Sequence, residues 1–301
     1  MDKSSFNNFF AGCKLNHGSL FSGIGGFDLA SEWMGWTNVF HCEINPFGRK
    51  ILNYYWPKAI QYEDITKTDF SIHRGQIDIL TGGFPCQPYS NAGSRKGKDD
   101  ERNLWPNMLE AIRQIKPKWI VGENVPGLIS WSNGLVFEEI QSELETEGYK
   151  IQPIILPAIS VGAYHLRERI WVVAYSGRLG WEDVQSHFGS RFETIRNPKR
   201  NSKANEWGQK ETNELDTPRN TFLQFQQMYS ESPIFNVDDG IPFELDGITI
   251  PKYLEESNKA AGNAIVPQVA YQIFKTIEQI EVMEKIIKTD LKNRASSYAK
   301  T

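Results

Sequence analysis

Through its first 175 residues the chain alternates short apolar runs with amphipathic, helix-length segments, and this alternation restricts the fold more than anything else in the sequence. The apolar runs fall at 18–21, 38–43, 77–81, 118–123, 150–156 and 170–174. Between them, 27–34, 46–55, 106–115 and 135–147 carry apolar residues near three- and four-residue spacing, with Pro46 and Pro106 suited to a first helical turn. Strands that alternate with helices imply an α/β fold, here a doubly wound, mostly parallel sheet covered by helices.

The pattern stops after Tyr175. Residues 176–257 are rich in Asn, Gln, Gly, Trp and charge, with no long periodic segment, and are read as a smaller, irregular second domain. Helical spacing returns over 264–287 through Ile265, Val269, Ile273, Phe274, Ile277, Ile280 and Ile287. Such a stripe needs a partner surface, and the α/β half is the most economical one. The predicted organisation is therefore a domain over 1–175, a second over 176–257, and a C-terminal helix over 258–301 that returns to the first.

A chain of 301 residues has room for about two domains. Its 40% hydrophobic and 23% charged content is globular. No apolar stretch approaches the ~20 residues of a membrane span, and the N-terminus lacks a signal-peptide layout, so a cytoplasmic protein is expected. Cys13, Cys42 and Cys86 are too scattered for a disulfide framework and form no Cys-x-x-Cys pair of the kind that holds zinc, so no metal is expected. The net charge of -4 is unevenly spread: 187–210 holds six Lys/Arg against two acids, whereas 229–256 holds seven acids against Lys252. A basic face for an anionic partner is thus available.

Phe21-Ser22-Gly23-Ile24-Gly25-Gly26 stands between the first strand and the first helix. Glycines at such a turn let the backbone approach a ligand, and the helix that follows presents free N–H groups to it. Glu43, twenty positions after Gly23 at the end of the second strand, can accept hydrogen bonds from both hydroxyls of a ribose. Asp64 and Ile65, after the third strand, are in place to touch an adenine. The glycine spacing is not the dinucleotide G-x-G-x-x-G, which favours a nucleoside ligand without a pyrophosphate over NAD. The plain alternative is a tight turn with two surface acids.

Residues 82–90 follow the fourth strand, at the carboxyl edge where α/β sheets bind ligands. Cys86, framed by Pro85 and Pro88, is expected to be rigid and exposed, which suits a nucleophile, whereas Cys13 and Cys42 read as structural. Glu123 ends the fifth strand behind apolar Trp119-Ile120-Val121, so partial burial and a raised pKa are expected, as a proton-donating acid requires. Before the last strand, two-residue alternation puts Arg167 and Arg169 on one face.

Together these residues resemble the DNA cytosine-5 methyltransferase family, in a bacterial or phage-like form. The match runs in family order through Phe-Ser-Gly-Ile-Gly-Gly at 21–26, Gly-Phe-Pro-Cys-Gln-Pro at 83–88, Glu-Asn-Val at 123–125, Arg-Glu-Arg at 167–169 and Gly-Asn-Ala at 262–264. The resemblance implies a Rossmann-like class I methyltransferase fold, with 176–257 as the target-recognition domain. It implies Cys86 as nucleophile, Glu123 as the acid at the cytosine ring, Arg167 as a group fixing the base and its transition-state charge, and Arg169 as a supporting contact. Phe21, Ser22, Gly23, Gly25, Gly26, Glu43, Asp64, Ile65, Pro85, Leu104, Asn263 and Ala264 fall at positions implied to hold S-adenosylmethionine, with S-adenosylhomocysteine as product. His165 stands where many members have glutamine, and Asn103 where many have glycine.

The implied reaction is methylation of C5 of a flipped cytosine in double-stranded DNA through a covalent Cys86–C6 intermediate. Ser90, Arg95, Lys96, Lys98, His165, Arg191, Arg196, Lys199 and Arg200 are the expected DNA contacts. The expected enzyme is a monomer, with a cognate restriction endonuclease encoded nearby and no stable complex between them. A tRNA cytosine-5 methyltransferase on the same scaffold is the enzymatic alternative. A catalytically silent DNA-binding regulator is the other, and the presence of Cys86, Glu123 and Arg167 argues against it.

Overall fold

The computed structural model describes residues 13–85, 103–163, 165–177 and 250–298. The chain divides into two compact units, Met1–Gly177 with Pro242–Gln279 and Arg178–Ile241 with Ile280–Thr301. Of the second, the described residues are the last part of one helix. The first holds β1 (Asn16–Leu20), α1 (Gly26–Trp33), β2 (Thr37–Cys42), α2 (Pro46–Tyr55), β3 (Ile60–Tyr62), β4 (Ile79–Gly82), α3 (Trp105–Ile115), β5 (Trp119–Asn124), α4 (Gly127–Ser130), α5 (Leu135–Thr146), β6 (Lys150–Pro157), β7 (Glu168–Tyr175) and α6 (Ile250–Asn263). It also holds the start of α7 (Pro267–Tyr298).

The strands form one sheet in the order β3-β2-β1-β4-β5-β7-β6. β1 to β5 pair in parallel, while β7 runs antiparallel to both β5 and β6. The link 158–167 holds one 3-10 turn and is too short for the helical crossover that a parallel pairing of β6 and β7 would need. The doubly wound, mostly parallel sheet is the architecture expected from the alternation. No described helix is long and apolar enough to cross a membrane.

Side-chain alternation sends successive residues of the central strands to opposite faces. Leu80, Ile120, Ile170 and Val172 pack with Met108 and Ile112 of α3 and Ile140 and Leu144 of α5 in one buried cluster. On the other face Trp171 meets Phe27 of α1 edge to face at 5.9 Å, and Phe274 of α7 stacks on Trp36 at 4.9 Å and Phe27 at 6.3 Å. Val269, Ile273, Phe274 and Ile277 are all buried, so this part of the C-terminal stripe does cover the α/β half.

The returning segment differs from expectation in one respect. A single helix over 264–287 is predicted, but α6 ends at Asn263, and α7 starts at Pro267. Proline lacks the N–H that a continuing helix would use and suits the first position of a new one, so 264–266 form the break. α6 is sparse in apolar residues, which hides it from periodicity. β1 begins at polar Asn16 and His17, which the structure accommodates through side-chain bonds. The Asn16 N–H donates to Asp78 Oδ2 at 2.8 Å, and the buried His17 ring bonds Asn38 Oδ1 at 2.7 Å and Thr81 Oγ1 at 2.8 Å. Burial pulls the His17 pKa down to about 4, so the ring is neutral at physiological pH.

Candidate active site

The strand order reverses between β1 and β4, the switch point at which loops on the carboxyl edge diverge and leave a crevice. A cavity of about 770 Å³ lies there, within the range of small-molecule sites. Its first wall is the turn after β1. Phe21, Gly23 and Gly25 have φ of 51°, 59° and 88°, left-handed values that favour glycine. A side chain on Gly23 would meet nothing within 4 Å, so the backbone there faces open space. Gly25 and Gly26 turn the other way: a Cβ would lie 2.3 Å from the Trp56 ring or 2.7 Å from the Ile265 carbonyl oxygen. They allow packing and do not line the cavity.

Glu43 leaves the end of β2 into this wall. Its Oε2 accepts the Gly23 N–H at 2.7 Å and its Oε1 the Asn45 N–H at 2.8 Å, which orients the carboxylate. Burial pushes its pKa up, opposed by these backbone bonds and by Arg49. Asn45 caps α2 by accepting from the Phe47 and Gly48 N–H groups, with Pro46 in the first turn as expected. Asp64 and Ile65 line the same cavity. Asp64 Oδ1 accepts from the Thr66 N–H and hydroxyl, and Oδ2 pairs with Lys67 at 2.9 Å. These bonds hold its pKa down at about 2.

At the far end Glu123 closes β5. Its Oε1 accepts from Arg169 Nε at 2.9 Å, and its side chain is 12% exposed. Burial raises its pKa, while Arg169 and then Arg167 pull it back. The partial burial and upward shift expected of this acid are both present. Next to it, the buried Asn124 donates through Nδ2 to the Phe84 carbonyl at 3.0 Å, pinning the backbone just before Pro85. Arg167 donates through Nη1 to the Gly262 carbonyl and through Nη2 to the Ala264 carbonyl, each at 2.9 Å. Both arginines reach the cavity, but not by strand alternation: Arg167 precedes β7, with φ of 31°.

Eleven residues singled out from sequence therefore line one cavity: Phe21, Gly23, Glu43, Asp64, Ile65, Pro85, Leu104, Glu123, Arg167, Arg169 and Asn263. Ser22 does not; it is buried, and its hydroxyl braces the Ser19 and Cys42 carbonyls. Ala264 contributes a carbonyl to Arg167, and His165 is exposed outside the lining. Cys86, Ser90, Arg95, Lys96, Lys98, Arg191, Arg196, Lys199 and Arg200 lie outside the described residues. Cys13 and Cys42 are both buried, and burial pushes the Cys42 thiol up to about 12, which leaves it inert. Sequence reasoning missed Asn45, Glu256 and Lys259 as lining residues; Asn-Pro before a helical run was a readable capping signal for the first.

The model of the C-5 cytosine-specific DNA methylase family matches residues 15–237. The chain belongs to that family. The Type II methyltransferase M.Eco47II of Escherichia coli is 36% identical over 158 residues, 52% of this chain and 38% of that protein. M.BsuFI of Bacillus subtilis, also a Type II methyltransferase, is 30% identical over 244 residues, 81% of this chain and 56% of that protein. The chain thus spans 38% and 56% of the length of these two relatives, less than two thirds of either. The crystal structure of S. pombe Dnmt2 methyltransferase shares the fold, with a TM-score of 0.58 at 20% identity over 89% of this chain and 99% of that one.

Proposed function

We propose that the chain is a DNA (cytosine-5) methyltransferase that moves a methyl group from S-adenosylmethionine to C5 of a cytosine flipped out of double-stranded DNA. The observation that carries this reading is that one cavity joins Glu43 and Asp64 to Glu123 and Arg169. An acceptor for ribose hydroxyls and a buried acid then share one space. Glu43 would take the ribose, Phe21 and Ile65 the faces of the adenine, and Asp64 its edge. Lys259, a lining cation that reaches the cavity from α6, would face the carboxylate. S-adenosylmethionine, when bound, supplies an electrophilic methyl group.

Cytosine C5 is too weak a nucleophile to take that group unaided. Addition of the Cys86 thiolate to C6 forms an S–C6 bond and moves the ring electrons toward C5. Glu123, whose burial favours the protonated form, donates to N3 and stabilises the electron-rich ring. C5 would then take the methyl group, releasing S-adenosylhomocysteine; a base removes the C5 proton, N3 returns its proton to Glu123, and expulsion of the thiolate restores both the aromatic ring and Cys86. Extrusion of the base costs a few kcal/mol, offset by contacts to the DNA strand. Ser90, Arg95, Lys96, Lys98, His165, Arg191, Arg196, Lys199 and Arg200 are proposed to supply those contacts. The reading includes a cytoplasmic monomer acting beside a separately folded restriction endonuclease.

Duplex DNA carrying 5-fluorocytosine at the target position tests the mechanism. Fluorine cannot leave as a proton does, so elimination stalls and a denaturation-resistant protein–DNA adduct accumulates. The adduct is expected to need S-adenosylmethionine for its methylated form, to vanish in Cys86→Ser, and to form far more slowly in Glu123→Gln. Methylation of DNA without an adduct refutes the covalent route. Methyl transfer to tRNA and not to duplex DNA would move the substrate to the alternative class.

A further inference from the structure

We propose that Arg167 is a positioning residue for the cofactor end of the cavity, holding the turn between α6 and α7 through two carbonyls; this rests on the methyltransferase reading above. The resemblance gives this residue to the base. Its described hydrogen bonds go elsewhere. Nη1 donates to Gly262 and Nη2 to Ala264, so the two acceptors flank Asn263, which lines the cavity. A guanidinium presents its donors in a rigid planar fork, and two carbonyls on either side of one residue match it.

The turn so held also touches the other parts of the site. Ile265 lies where a side chain on Gly26 would put its Cβ, 2.7 Å from the Ile265 carbonyl oxygen, so the break between α6 and α7 abuts the start of α1 just behind the glycine turn. The Ile265 Cδ1 stands 3.3 Å from a Cβ built on Gly83, at the start of the segment leading to Pro85. A shift of 262–265 would disturb the cofactor wall and this approach segment together. Arg167 is bound to the turn from a strained backbone, a non-glycine residue at φ 31°, as sites do when one side-chain direction is needed. The labour divides between neighbours: Arg169 pairs with Glu123, which frees Arg167 for the turn. Three of the five guanidinium N–H donors remain for the base.

Calorimetric titration of the full chain with S-adenosylhomocysteine, without DNA, separates the roles. A residue serving only the base would leave this affinity unchanged. Arg167→Met is expected to weaken it by about tenfold or more, the loss of two hydrogen bonds from a charged donor. Arg167→Lys should recover little of the affinity, because a single ammonium is not a fork. Guanidinium ion at millimolar concentration should restore affinity in part to Arg167→Gly, a variant that also suits the backbone and so stands in if Arg167→Met does not fold. Arg113→Met breaks the exposed pair with Glu147 (2.7 Å) and should bind as the wild type does, which controls for a general loss of stability. Wild-type affinity in Arg167→Met, or in Arg167→Gly without guanidinium, overturns the inference alone. Failure of the wild type to bind S-adenosylhomocysteine overturns the cofactor reading and this inference with it.

Discussion

Replacing Asp28 by asparagine should make the protein more stable in alkaline solution and leave it nearly unaltered in acid. Asp28 lies in the first turn of α1 and is fully buried. His41 Nδ1 stands 3.9 Å from its Oδ1, and neither carboxylate oxygen has a hydrogen-bond partner among the described residues. Burial pulls the pKa of His41 down to about 4, so above that value the ring is neutral and offers no counter-charge. Burial likewise pushes the Asp28 carboxyl up from 3.8 to about 7. Between those values the folded chain keeps a proton that the unfolded chain has released, so stability falls as pH rises through the window. Each tenfold change in proton affinity is about 1.4 kcal/mol, and the whole rise amounts to roughly 4 kcal/mol. Urea unfolding of both proteins from pH 4 to 8.5 gives the difference in stability, with contributions common to both, such as those of His17, largely cancelling. The gap should open from near zero at pH 4 to about 4 kcal/mol in favour of Asp28→Asn by pH 8. A gap independent of pH would mean that Asp28 is not held protonated in the fold.

Other expectations concern the cavity. Glu43→Gln replaces one carboxylate oxygen with a donor that faces a backbone N–H, so S-adenosylhomocysteine affinity should fall about tenfold or more by calorimetry. Asn124→Ala strips the Phe84 carbonyl and the Val125 N–H of their partner, which should cost about 2–4 kcal/mol in urea unfolding and slow adduct formation with the fluorinated target. Arg169→Met removes the cation that lowers the Glu123 pKa, so Glu123 should stay protonated to higher pH and the alkaline limb of kcat should move up. Neutralising Arg191, Arg196, Lys199 and Arg200 should shrink the log-log salt slope of DNA binding by about 0.9 for every phosphate that no longer meets a cation.

Much of the fold was legible because its signals are local. Strand and helix periods, Pro46 and Pro106 gave the order of elements, and the glycine turn with Glu43 gave one wall of the cavity. The unread features depend on partners distant in sequence. His17 looks wrong for a central strand until Asn38 and Thr81 are seen to bond its ring. α6 carries few apolar residues, yet one of its faces supplies Glu256, Lys259 and Asn263 to the cavity. Arg167 and Arg169 were expected to act from one strand face, whereas they reach the cavity from a strained turn and a strand end. No period in the sequence encodes that difference.

The reversed direction of β7 has a consequence for how the protein is made. A polypeptide emerging from the ribosome can pair β1 to β5 as soon as residue 124 is available, but β7, which lies between β5 and β6, is synthesised last of the seven. Until 168–175 have been translated, the outer edge of β5 carries open N–H and C=O groups, β6 has no sheet to join, and Glu123 is without Arg169. The acid end of the cavity is therefore assembled after the wall that holds Gly23, Glu43 and Asp64. A transcript cut short within that interval yields a chain whose β5 pairs with β4 on one side and has its other edge open, a substrate for aggregation or for proteases.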